Sequence, residues 1–286
     1  MFFSKKRAVS YFVIAFLFVC VFFANVNQIK ALNYINYYGV EMTRDELMTL
    51  FNLGFNDNEI YHMDLDTFNA NKDLDATLLT SEDKYYKTVY PVYGNSYTVE
   101  VTEQEYNSNS EILPLDVQNT TYKHIVTTIS ANGSRYRYKI SLSWKQIPAV
   151  KKYDIIGIGY SDDVHIYNSI VYFAFYYTLN SVDYSSTQYY DQKVTDLGAT
   201  TVYKIPDNIT GLSALLYYDV EKDSGAGTLT NLSMCGDYAH ATSNSVTSTL
   251  AAHHSIGNSG IGLFSDNISL YDAIPCTYAS IYGISW

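Results

Sequence analysis

The segment YKHIVTTISANGSRYRYKISLSWK, residues 122–145, decides the fold. From Arg135 onward apolar and polar side chains alternate without a break. Tyr136, Tyr138, Ile140, Leu142 and Trp144 lie on one side, and Arg137, Lys139, Ser141, Ser143 and Lys145 on the other. A period of two marks a strand with one buried and one wet face. Just upstream stands Asn132-Gly133, the pair suited to the left-handed positions of a two-residue type I′ turn. That turn pairs Ala131 with Ser134, Ile129 with Tyr136, Thr127 with Tyr138 and Ile125 with Ile140, so the apolar faces coincide. A β-hairpin is expected.

Further short strands follow at 153–160, 170–177, 184–194, 200–205, 212–220, 228–234, 261–264 and 278–286. The run 170–177 is apolar on both faces, as in a strand packed on two sides. Residues 243–259, rich in Ser, Thr, Asn and His, read as a polar-faced strand or a loop. Many short strands at regular intervals without helices between them predict an antiparallel β-sandwich over residues 119–286.

Upstream the pattern changes. Thr43-Arg44-Asp45-Glu46 is a capping box, Leu47, Leu50 and Phe51 form an apolar face, and Gly54 closes the helix. Asn56-Asp57-Asn58-Glu59 repeats the cap, and Asp64 offers a further start. A small N-terminal helical hairpin is expected within 32–80. Residues 81–118 then hold short strands and a polar linker, with a domain boundary near 107–111. Asn69, Asn71, Asp73 and Asp75 imitate a calcium loop but lack its Gly and Glu.

Lys5-Lys6-Arg7 precedes an uncharged apolar run, and Ile29-Lys30-Ala31 ends on a small residue. This is the layout of a secretory leader spanning 1–31, cut between Ala31 and Leu32. The alternative is an uncleaved membrane tether through residues 8–24. Beyond residue 31 there are 14 basic against 29 acidic side chains, a net charge of −15. A chain that acidic repels phosphate backbones and anionic membranes, which argues against nucleic-acid binding; a membrane is expected only through an uncleaved leader. Once the leader and its Cys20 are gone, Cys235 and Cys276 remain, a natural disulfide candidate in an exported chain, with two buried free thiols as the alternative.

Leu142-Ser143-Trp144, Pro148 and Tyr153-Asp154-Ile155 resemble the second and third strands of a fibronectin type III domain, which implies a sandwich. The leader, Leu53-Gly54-Phe55, Asn71-Lys72-Asp73-Leu74 and Met234-Cys235-Gly236-Asp237-Tyr238 resemble uncharacterised secreted proteins of low-GC Gram-positive bacteria. That resemblance implies a location and no activity.

Catalytic patterns are weak. Cys235, His240, His253 and His254 are of metal-binding type but match no compact zinc spacing. Cys235, Asp237 and His240 are of nucleophile–orienter–base type but crowd into six positions. Neither a hydrolase elbow nor a zincin motif is present. No catalytic residue, metal or cofactor is expected. Asn119, Asn132, Asn208, Asn231 and Asn267 begin acceptor sequons, which matter only in a eukaryotic secretory pathway.

The 30 tyrosines suit strands and supply adaptable contact rings. The leading expectation is a secreted, non-enzymatic β-sandwich that binds an extracellular protein or glycan. The rivals are a pore former inserting the Ser/Thr-rich 242–249 segment and a secreted hydrolase using Cys235 or the histidines.

Overall fold

The computed structural model describes residues 33–94, 96–108, 116–161 and 163–286. The leader, its cleavage point at Ala31 and Leu32, and most of the expected linker lie outside the described residues.

The chain opens with strands β1 (Tyr34–Ile35) and β2 (Glu41–Met42) and helices α1 (Arg44–Asn52), α2 (Asp57–Tyr61) and α3 (Leu65–Asn71). Next come β3 (Ala76–Pro91), β4 (Tyr97–Val101), helix α4 (Glu103–Asn107), β5 (Val117–Asn132), β6 (Arg135–Trp144), β7 (Tyr153–Tyr160), β8 (Val164–Ile166), β9 (Tyr172–Leu179) and β10 (Val182–Ser186). The remainder holds β11 (Asp191–Thr195), β12 (Gly198–Lys204), β13 (Ile209–Lys222), β14 (Asn231–Ala241), helix α5 (Ser248–Ala251), β15 (His254–Gly257), β16 (Gly260–Leu263), β17 (Tyr271–Ala273) and β18 (Thr277–Tyr282).

Two antiparallel sheets make a β-sandwich. The larger runs β10-β9-β13-β6-β5-β3-β4, with β8 also on β13; the smaller runs β11-β12-β7-β14-β17, with β18 also on β14. The stretch expected as one strand over 184–194 is split, because the chain leaves the larger sheet after β10 and enters the smaller one at β11. Between the sheets lie Ile125, Ile129, Tyr138, Ile140, Leu142 and Leu216 from one side and Ile156, Ile158, Tyr203, Leu232 and Met234 from the other. Each fully buried side chain of this kind stabilises by roughly 1.5–3 kcal/mol.

The β5–β6 hairpin forms, with its turn one position later than expected. Asn132 pairs with Arg135, Ile129 with Tyr138 and Ile125 with Leu142, so the loop is Gly133-Ser134. Only Gly133 takes a left-handed φ, of 61°. A glycine at the first central position is what a type II′ turn requires. Register moves by two residues, which preserves the faces.

The face expected to be wet is covered. Arg137, Lys139 and Ser141 are buried because the N-terminal helices pack over them. Leu50, Leu53, Phe55, Ile60, Met63 and Phe68 of this cap meet Tyr176, Leu215 and Tyr217 of the larger sheet. Three short helices stand where a hairpin of two was expected, each N-capped by the side chain of Thr43, Asn56 or Asp64. β3 and β4 lie on the N-terminal side of the boundary drawn near 107–111, yet β3 pairs with β5 along its whole length. The larger sheet therefore runs across that boundary. Residues 242–249, the segment a pore former would insert, form a turn, the Thr247 cap and the first residues of α5.

Candidate functional site

A groove opens on the outer face of the larger sheet, beside the helical cap. Gly54 ends α1 at φ 83° and lies so close to β5 that a Cβ there would stand 2.4 Å from Thr128 Oγ1. The α1–α2 junction is thus pressed onto the sheet at Thr128 and Ser141, and the face beyond it stays open. The result is a cavity of 590 Å³ with Phe51, Asp57 and Asn58 on the helical wall and Ser81 and Asp83 of β3 opposite. Its floor presents His124, Val126, Thr128 and Ser143. His124 Nε2 lies 2.8 Å from Asp83 Oδ1, and its ring stacks on Tyr85 with centroids 4.4 Å apart. Asn58 donates to Ser213 Oγ at 2.9 Å, while the buried Thr128 hydroxyl has no hydrogen-bond partner among the described residues. Hydroxyls, amides and two carboxylates with one apolar lip line the groove.

A second polar assembly lies inside the sandwich. Lys123 on β5 faces the core in phase with Ile125 and places Nζ 2.6 Å from Asp272 Oδ2 on β17. Thr88 Oγ1 donates to the same oxygen at 2.7 Å, and the Thr98 hydroxyl donates to Oδ1. Trp144 and Tyr238 wall the ammonium at 4.9 and 5.9 Å. Behind them the fully buried Asp154 accepts from the Tyr238 hydroxyl, from Ala241 N at 3.0 Å, and contacts His240 Nδ1 at 3.1 Å. Burial pushes the Lys123 ammonium down from its ordinary range. Burial alone would lift the Asp272 carboxyl, but Lys123 and the two threonines hold it below the usual value.

Of the residues singled out in the sequence, Cys235 and Cys276 are disulfide-bonded, with Cα atoms 5.5 Å apart. The remaining candidates do not assemble. Tyr238 and His240 side chains enter the core, whereas Cys235 and Asp237 share the opposite face of β14 beside Gly260. His253 is exposed and meets Asp266 at 2.9 Å. His254 is buried against Thr200 and the Ala251 carbonyl, and burial pushes its imidazole down to about 4. Among the described residues no group of three or more His, Cys, Asp or Glu side chains is placed to hold a metal ion. Of the sequon asparagines, Asn132 and Asn267 are buried, out of reach of a glycosylating enzyme once folded. Sequence reading missed Lys123, Asp154 and Asp272. The available signal was Lys123 itself, a cation in phase with the inward-facing Ile125 and Ile129.

No protein-family model matches the chain, and no curated protein sequence matches it. Among solved structures it is similar to the collagen-binding domain of the Erysipelothrix rhusiopathiae surface protein RspB, at 7% identity and TM-score 0.29, over 58% of this chain and 63% of that one. It is also similar to the collagen-binding subdomain of Enterococcus faecalis ACE, at 11% identity and TM-score 0.30, over 53% and 90%. The full-length RrgB pilus protein of Streptococcus pneumoniae gives 8% identity and TM-score 0.28, over 72% and 53%. At these TM-scores the overlays establish neither a common fold nor a common ligand. No helix among the described residues is long and apolar enough to cross a membrane.

Proposed function

We propose that this is an extracellular, non-enzymatic binding module that holds an extended stretch of another protein in the groove beside the helical cap. One observation carries the reading. The helices cover most of the outer face of β6, β9 and β13 but leave the β3–β5 side open as a 590 Å³ trough. Its floor of hydroxyl and imidazole groups offers hydrogen bonds along the strands, and Phe51 and Leu78, both partly exposed, supply apolar contact. Asp57 and Asp83 favour a neutral or basic segment over an acidic one. The expected leader and the Cys235–Cys276 bridge agree with an oxidising, extracellular setting.

The test is a binding screen of residues 32–286 against arrays of secreted proteins and of glycans, followed by titration of each hit. Val126→Arg fills the groove floor without touching the core. Saturable protein binding that Val126→Arg weakens at least tenfold, with thermal stability unchanged, is the expected result. Hits confined to glycans would replace the protein partner with a carbohydrate. Binding indifferent to Val126→Arg would remove the groove from the reading.

A further inference from the structure

We propose that Lys123 and Asp272 become joined by an intramolecular amide bond, formed by the folded protein itself and tying the two sheets together across the core. The residues are 149 positions apart, on β5 of the larger sheet and β17 of the smaller, yet their polar atoms touch at 2.6 Å. Both side chains are removed from solvent, at 0% and 3% exposure. Holding an amine against a carboxyl in one geometry supplies an effective molarity of about 10⁵–10⁸ M for their reaction. The Lys123 amine is wholly removed from solvent, so its ionised form is costly and the uncharged nucleophile accessible, and the Trp144 and Tyr238 rings at 4.9 and 5.9 Å close it in.

The carboxyl is equipped as an electrophile. The Thr98 hydroxyl bonds Oδ1, where negative charge gathers on addition, while Thr88 and Lys123 both contact Oδ2, the oxygen that must leave. One proton moving from Nζ to Oδ2 converts the ion pair to amine and carboxylic acid. The nitrogen lone pair then adds to Cγ and the C–N bond forms. A second nitrogen proton passes to the leaving oxygen, the C–O bond breaks, and one water departs. No oxidant or co-substrate is needed. Asp154 accepts from the Tyr238 hydroxyl and contacts His240, and the Tyr238 ring lies 5.9 Å from Lys123 Nζ, so Asp154 acts through that ring as the residue positioning the amine.

The other buried pair shows what a purely ionic contact looks like here. Lys139 meets Glu59 at 2.8 Å, but its ammonium is shared with the Gly54 carbonyl and Ser141. The same Glu59 oxygen accepts from Asn56 N at 2.9 Å as part of a helix cap. Among the described residues no hydroxyl bonds that carboxylate, so it serves as the reference that stays unlinked.

The inference stands apart from the groove and is tested without a ligand. Intact mass of the reduced, folded chain is expected about 18 Da below the sequence mass, the loss of one water. A peptide map should contain one branched species joining the segments around Lys123 and Asp272, with no cleavage after Lys123 by a lysine-specific protease. Lys123→Met and Asp272→Ala should each restore full mass. Asp154→Asn should leave the fold intact by circular dichroism but slow the mass loss at least tenfold in freshly refolded protein. Full mass and separate peptides from the folded wild-type chain after prolonged incubation would overturn the proposal, whether or not any variant folds.

Discussion

Lys139 and Glu59 form an ion pair at 2.8 Å beneath the helical cap, with side-chain exposures of 1% and 3%. They are 80 residues apart, and the pair fastens α2 to the middle of the larger sheet. Arg137 extends the same seam to Asn71 on α3 and to Asp219 on β13. Two cations in the alternating strand are thus the anchor points of the N-terminal segment.

Removing one partner leaves the other charge buried and uncompensated. Lys139→Met is therefore expected to cost about 3–5 kcal/mol, read from the urea midpoint. Lys139→Met combined with Glu59→Gln should recover most of that loss, since no buried charge remains. Hydrogen exchange in residues 44–71 should accelerate in the single variant more than elsewhere. An equal loss in the single and double variants would count against the pair as the fastening.

The disulfide makes a separate prediction. Cys235 and Cys276 close a loop with a sequence separation of 41, and the chain-entropy model assigns about 4 kcal/mol to such a loop as an upper figure. Reductant should lower the melting temperature of the wild-type chain. Cys235→Ala with Cys276→Ala should melt where the reduced protein does and should ignore reductant.

These contacts also explain what was legible in the sequence. Periodicity located β6 and β7 closely because each strand has one face in a continuous core, and the caps at Thr43 and Asn56 were readable as local hydrogen-bond chemistry. Arg137 and Lys139 were misread as wet because alternation reports only that two faces differ. It cannot report that a segment 80 residues away supplies Glu59 as counter-charge. Lys123 escaped for the same reason, its partner Asp272 being 149 residues distant. The groove was invisible because it depends on where the cap stops, which is a matter of packing between Gly54 and Thr128.

The β15–β16 hairpin rests on the outer face of β7, where glycine makes room for it. A Cβ at Gly159 would stand 1.9 Å from the Gly257 carbonyl oxygen, and Gly159 has no left-handed φ, so an alanine there acts by bulk alone. Gly159→Ala should cost about 1–3 kcal/mol through overpacking and lift the hairpin. Gly257→Ala, with nothing within 4 Å of the added carbon, should be close to neutral. Thermal melts of the two variants beside wild type check the contrast.

At the same hairpin, two buried groups titrate in opposite senses. Asp237 accepts from Tyr238 N at 2.6 Å and Ile261 N at 2.8 Å, but burial dominates and pushes its carboxyl up to about 7 from 3.8. Burial pushes His254 down to about 4 from 6.5. Between these values the folded chain holds the Asp237 proton that the unfolded chain has released, so this group's contribution falls as pH rises from about 4 to about 7. His254 does the reverse. The unfolded chain binds the proton that folded His254 refuses, so stability rises with pH from about 4 to 6.5. Converted at 1.36 kcal/mol per unit, the two effects are at most roughly 4 and roughly 3 kcal/mol and largely cancel in the wild-type chain. Asp237→Asn removes the falling term, so its stability should climb with pH across this window relative to wild type. His254→Gln removes the rising term and should decline. Urea midpoints of the three proteins at about pH 4.5 and about pH 7 decide the matter, and parallel pH profiles would show that neither group carries the assigned shift.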